Sequence, residues 1–325
     1  MAAHHTPSAR LISWAALTMI FAVTRLPMRW AVALGGGAGW LCSHVCPLRR
    51  GLVLRNLAIA FPGQSEAERR RLMRRCYRNF GRWAFETCFA GRVDTVKAGL
   101  VVEEEHRERL DRMLAECPGF IAVTGHLGSW EIGATHFAYM GIRLTAVVKP
   151  LHNGYMNDHI VRSRRRSGLK ILFTNEGLTT AVTGRINRDE VVVIVSDQDA
   201  RQAGTFVEFF GRPTSTPRGV AMFSVRSGRP ILPVFTTRVR GNRHRMHYGE
   251  PIWPRDGEDI DQEVRRITQA YTRELEALVR RFPDQYFWFH DRWKTSPGML
   301  KPKRLRRAGL ASAQEVDTPE ASPES

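Results

Sequence analysis

The sequence predicts an α/β fold, a largely parallel central sheet flanked by helices, preceded by an apolar helical segment. Three observations predict it. From residue 120 to residue 282, strand-like runs alternate with helix-like stretches. Val191-Val-Val-Ile-Val195 has no polar face, as a strand covered on both sides requires. A chain of 325 residues, 43% of them hydrophobic, is long and apolar enough for one substantial core.

Taken in order, the first ten residues are polar, and His4-His5 read as part of a loose tail rather than a metal site. Leu11 to Thr24 is apolar between Arg10 and Arg25. As a helix this run spans roughly 21 Å, short of the ~30 Å of a hydrocarbon core. A second apolar stretch, Trp30 to Val45, contains Gly35-Gly36-Gly37. No small-residue cleavage site cleanly follows the first run, so a signal peptide fits poorly. The pair reads as an interfacial or membrane-embedded anchor with basic flanks, one tilted span or a shallow hairpin. The plainer reading is two apolar helices packed on the globule.

Ser65-Glu-Ala-Glu68 is a capping box that opens a long helix. Leu72, Cys76, Phe80 and Trp83 recur at helical spacing and form its apolar face. Seven arginines between Arg69 and Arg82 cover much of the remainder. Such a run is ordinarily a solvated face; with so little acid beside it, it suggests contact with anionic headgroups.

The central stretch is Pro118-Gly-Phe-Ile-Ala-Val-Thr-Gly-His-Leu-Gly-Ser-Trp-Glu131. Phe120 to Val123 reads as a buried strand, and Ser129 to Met140 as a helix with Ser129 at its N-cap. His126 then lies in the turn and Glu131 in the first helical turn. On one continuous helix, residues five apart would stand roughly 140° from each other and never touch. With the histidine in a loop, its ring can fold back to a carboxylate that orients it as a base. The plainer reading has His126 end a strand and Glu131 complement the helix dipole. Spacing alone does not choose between them.

Further strands are expected at Arg143–Lys149, Lys170–Phe173, Val191–Val195 and Ile231–Val239, and helices near Tyr155–Ser167, Thr179–Arg188 and Thr216–Ser227. His126 and the pair Asp197/Asp199 both lie just past strand ends, where open α/β sheets bind ligands. A last helix begins near Asp261, turns Ile267, Tyr271, Leu275, Leu278 and Phe282 inward, and ends at Pro283. The chain divides into an N-terminal membrane-associated segment (1–48), an α/β domain (49–298) and a basic-then-acidic tail (299–325) that reads as disordered.

Lysine and arginine number 49 against 32 acidic residues, a net charge of +17. That field attracts nucleic acid, acidic lipid surfaces, phosphorylated glycolipids or an acidic carrier protein. No nucleic-acid-binding module accompanies it. Five scattered cysteines point to a reducing compartment rather than a disulfide framework. Cys42-x-His44-x-Cys46 lacks a second ligand pair, and Asp197/Asp199 lack a histidine partner, so no metal is expected. G-x-S-x-G, P-loop and dinucleotide fingerprints are absent from the sequence, which disfavours a covalent serine nucleophile and gives no reason to expect a cofactor. Arg162-Ser-Arg-Arg-Arg166 suits a helix C-terminus.

His126-Leu-Gly-Ser-Trp-Glu131 resembles the H-x4-E/D motif of the lysophospholipid acyltransferase superfamily, and the phrase GHLGSWE is similar to the bacterial late acyltransferases of lipid A biosynthesis. Arg55-Asn-Leu-Ala-Ile-Ala-Phe-Pro62, Tyr77-Arg-Asn-Phe-Gly81, and Ser196-Asp-Gln-Asp199 with Phe206 to Gly211 follow in that family's order. His290-Asp-Arg-Trp-Lys294 resembles its C-terminal box, with Asp291 where an arginine is usual. The resemblance covers roughly residues 10–298.

It implies a glycerol-3-phosphate acyltransferase-like fold at the bacterial inner membrane, with the site facing the cytoplasm. The reaction it implies moves a fatty acyl chain from an acyl-carrier-protein thioester to a hydroxyl of a lipid A precursor. His126 would be the general base, oriented by Glu131. Asp197 and Asp199 would shape the cleft, while Lys149, Arg164 and Arg292 would hold the anionic acceptor. Backbone N–H groups around Gly125–Ser129, or a basic residue, would stabilise the oxyanion. Anionic lipids are the expected surroundings, and no metal, cofactor or nucleic acid is implied. Rival readings are another lipid acceptor, a glycerophospholipid or a mannosylated phosphoinositide, and a non-catalytic basic membrane-binding protein.

Overall fold

The computed structural model describes residues 7–174 and 177–299. His4-His5 and the tail from residue 300 lie outside the described residues. The helices are α1 (Pro7–Arg25), α2 (Met28–Val45), α3 (Arg50–Ala60), α4 (Glu66–Thr87), α5 (Arg107–Glu116), α6 (Trp130–Tyr139), α7 (Gly154–Arg166), α8 (Leu178–Ile186), α9 (Gly219–Ser227) and α10 (Ile260–Arg281). The strands are β1 (Val101–Glu105), β2 (Ile121–Thr124), β3 (Leu144–Val148), β4 (Lys170–Phe173), β5 (Val191–Val195), β6 (Thr205–Phe209), β7 (Arg212–Thr216), β8 (Ile231–Arg240) and β9 (Arg243–Tyr248).

Seven strands form one sheet in the order β1-β9-β8-β2-β5-β3-β4. Its pairings are parallel except for β8 with β9, which turn back on each other at Gly241 (φ 57°). Alternation along β2 sorts the core into layers. Phe120 and Ala122 pack with Leu110 and Phe137 on one face, while Ile121 and Val123 pack with Val182, Val220 and Ile267 on the other. A further cluster, with Leu57, Tyr77, Phe209, Leu275 and Trp288, joins α3 and α4 to the C-terminal box.

The central strands and most helices fall within a few residues of their expected bounds, and Ser65 and Glu68 do form a capping box. Helix α9 starts at Gly219 rather than near Thr216 because Thr216 closes a separate β6–β7 hairpin. Phe210 (φ 53°) and Gly211 (φ 70°) make that hairpin's two-residue turn. The hairpin, β1 and β9 escape a periodicity reading because their apolar alternation is broken by charge, as in the edge strand Val-Val-Glu-Glu-Glu105.

Gly35 and Gly39 of α2 have a packing reason, whereas Gly37 faces open space. A Cβ on Gly39 would strike the Tyr77 carbonyl, and one on Gly81 the Gly35 carbonyl, so α2 and α4 touch backbone to backbone. Replacing Gly81 with valine is expected to cost about 1–3 kcal/mol by forcing the helices apart. Thermal unfolding of the purified variant measures it. Among the described residues no single helix is long and apolar enough to cross a membrane, and the pair α2–α3 is bent by 98°.

Candidate active site

Adjacent parallel strands build the site. In the β2–β5 register Thr124 lies beside Val195, so the turns that follow emerge side by side. His126 follows one strand and Asp197 the other. The Asp197 carboxylate takes the His126 backbone N–H on Oδ2 (2.8 Å) and lies 2.6 Å from the imidazole Nδ1 through Oδ1. Asp197 is buried; the histidine side chain keeps 21% of its surface. With Nδ1–H donated to the carboxylate, Nε2 carries the ring's lone pair, and the Gln198 amide nitrogen lies 3.5 Å from it.

This corrects the expected partner. Glu131 does not bond the ring: its carboxylate accepts from Arg164, through Nε at 3.2 Å and through a terminal nitrogen. Glu131 is buried at 6% exposure, and a buried carboxylate takes the nearest cation, here from the last turn of α7. Asp197, expected to shape the cleft, instead holds the histidine. Burial pushes the His126 pKa down, but the charge and hydrogen bond of Asp197, helped by the charge of Glu131, outweigh it and raise the imidazole above its ordinary 6.5. Burial likewise pushes Asp197 up, and His126 together with Arg292 holds it below the usual range.

Two further expectations are corrected. Arg292 is buried and does not face an acceptor. It donates to the Ser215 carbonyl (2.8 Å) and the Thr216 hydroxyl (2.7 Å), pinning β7. Four of the turn amides are also in use: His126 donates to Asp197, Leu127 to Gly125 O, Gly128 to Gln285 O and Ser129 to Thr236 O. They hold the turn in place rather than await an oxyanion. Asp199 accepts from the Thr295 hydroxyl (3.0 Å) and the Arg201 N–H (3.1 Å), a structural tie beside the site. Lys149 is exposed in the loop after β3.

One wall of the cleft is aromatic. Phe80, Trp83, Trp130, Phe287 and Phe289 line it together with His126, and the Trp130 ring lies 4.8 Å from the imidazole. Beneath the turn is a residue the sequence reading missed. Glu86 of α4, fully buried, accepts from Arg238 at 2.9 and 2.8 Å and from the Ser129 hydroxyl. His244 Nε2 lies 3.2 Å from it. A signal was available, since Glu86 continues the apolar stripe of Cys76, Phe80 and Trp83.

A family model described as bacterial lipid A biosynthesis acyltransferase matches residues 3–295. The chain belongs to that family. It is an acyltransferase. Among its relatives are the lipid A biosynthesis palmitoleoyltransferase and lauroyltransferase of Escherichia coli (strain K12), 26% and 25% identical. Each alignment covers 88% of this chain and 92% of the relative. The phosphatidylinositol mannoside acyltransferase of Mycobacterium tuberculosis is 26% identical over 67% of this chain and 66% of its own.

In this acyltransferase the N-terminal motif clamps the C-terminal box. Asn56 Nδ2 donates to the carbonyls of Trp288 (2.9 Å) and His290 (2.8 Å). The unusual Asp291 is met by Arg55 at 2.8 Å. That pair is partly exposed, so Asp291→Ala is expected to change stability by less than about 1 kcal/mol, readable as a near-unchanged melting temperature.

Proposed function

We propose that this acyltransferase moves a fatty acyl chain from an acyl-carrier-protein thioester to a hydroxyl of a lipid A precursor, with His126 as general base. The observation that carries the reading is the Asp197–His126 pair, 2.6 Å apart, at the mouth of an aromatic cleft. His126 Nε2 takes the acceptor's hydroxyl proton as that oxygen attacks the thioester carbonyl. Collapse of the tetrahedral intermediate breaks the carbon–sulfur bond, and the departing thiolate takes the proton from the imidazolium. Asp197 orients the ring and stabilises its charged form. Glu131, held by Arg164, adds negative potential beside it, so its part is electrostatic. Glu131→Gln keeps the Asp197 contact and is expected to slow transfer about tenfold.

Membrane placement is supported by the surface. Trp14, Phe21, Trp30, Leu34, Trp40 and Leu41 of α1 and α2 are exposed, with Arg25 and Arg29 between them. Such a face suits the headgroup–acyl boundary of an anionic leaflet, with the site on the cytoplasmic side of the inner membrane.

The similarity to a phosphatidylinositol mannoside acyltransferase supports a second reading, with that class of acceptor. The test offers purified enzyme one acyl-carrier donor with a lipid A precursor, a phosphoinositide mannoside or a glycerophospholipid, and weighs products by mass spectrometry. Acyl mass added to the lipid A precursor alone is expected. Transfer confined to another acceptor overturns the acceptor assignment, and no transfer to any overturns the function.

A further inference from the structure

With Arg164 committed to Glu131 and Arg292 to β7, two of the cations expected to hold an anionic acceptor are otherwise engaged. We propose that the acceptor's anionic headgroup binds instead in the groove between the turn after β5 and the C-terminal box, held by Arg201 and Lys294. The proposal rests on the acyl-transfer reading above and adds where the acceptor is read.

The groove is open, about 760 Å³, within the range of small-molecule sites. Ala200, Ala203 and Met299 give it an apolar floor, Arg201 and Lys294 supply two positive charges, and no carboxylate lines it. Both side chains are exposed, and neither has an ion-pair partner among the described residues. Its walls are tied to the site. The Arg201 N–H and the Thr295 hydroxyl both donate to Asp199 Oδ2, and Asp199 lies two residues beyond the aspartate that holds His126.

Arg201 is also held in an unusual way. Its φ of 54° is a left-handed conformation that disfavours a residue with a side chain. Its carbonyl is fastened by the Ser215 hydroxyl at 2.6 Å, so the guanidinium is carried by a backbone fixed at both ends. Two cations over an apolar floor match a phosphate or carboxylate on an amphiphile. The helix of an acidic carrier protein, roughly 10–12 Å across, fits such a concavity poorly.

The test measures steady-state kinetics of Arg201→Gln, Lys294→Gln and the double variant. The acceptors are a bisphosphorylated acylated glucosamine disaccharide and its dephosphorylated form, with the same acyl-carrier donor. Arg188→Gln, before the start of β5, is the control. The double variant is expected to raise KM for the phosphorylated acceptor about tenfold, leaving donor KM and the dephosphorylated acceptor unaffected. Inorganic phosphate should compete with the acceptor in the wild type and less in the double variant.

Equal KM increases for both acceptors overturn the proposal, as does an unchanged acceptor KM. A rise in donor KM alone assigns the groove to the carrier protein, which also overturns it. A change in phosphate inhibition with acceptor KM constant marks a site for free phosphate and not for the lipid, again an overturning result. If the wild type acylates no phosphorylated glycolipid, the functional reading itself fails. If it does and the variants match it, only the groove fails.

Discussion

His126→Ala is expected to lower acyl transfer by about a thousandfold, the range for removing a positioned general base. Asp197→Asn should be distinguishable from it by pH. The wild-type imidazole has its pKa raised above 6.5, and the base must be neutral to act. Wild-type kcat/KM should therefore climb with pH through that raised value and level off above it. Asparagine removes the charge that raises the imidazole and leaves the burial that lowers it. The acid limb then moves to lower pH, while the plateau falls because the ring is no longer held in its productive tautomer. A profile over roughly pH 5–9 for both enzymes checks this. An acid limb that stays in place would mean that another group titrates.

Glu86→Ala is expected to cost about 3–5 kcal/mol of stability, because it leaves Arg238 buried without its counter-charge. Burial pushes Glu86 up, but His244 and Arg238 hold it well below the usual carboxylate range. A depressed carboxylate contributes stability above its unfolded-state pKa and loses it as pH falls toward the folded value. The gap between wild type and variant should therefore be full at neutral pH and shrink below about pH 4. Replacing Arg238 with leucine as well should recover part of the loss, since an apolar pair needs no counter-ion. Thermal unfolding of the single and double variants decides it. Because the Ser129 hydroxyl also rests on Glu86, the single variant should lose transfer activity even where it stays folded.

How much of this was legible depended on the range of each interaction. Phe120–Val123, Val191–Val195 and the Ser65 capping box are read from neighbours a few residues apart; the last two stand where expected and the first is displaced by one residue, to Ile121–Thr124. The β6–β7 hairpin is not legible in the sequence, because Phe209-Phe210-Gly211 looks like an apolar run with a glycine rather than a turn. Arg292 looked like a cleft cation from its place in a motif. Burial, which a motif does not report, turned it inward.

The layered α/β plan, the capped arginine-rich helix, the turn that carries His126 and the family to which the motifs belong are all legible in the residues alone. Only the packed structure sets Asp197 against the imidazole, draws Glu131 to Arg164 and puts Glu86 beneath the turn that carries His126. Periodicity and motif spacing report which residues are buried and which follow a strand. Which carboxylate meets His126 depends on β5 lying beside β2, and a carboxylate 71 residues along the chain then becomes the nearer one.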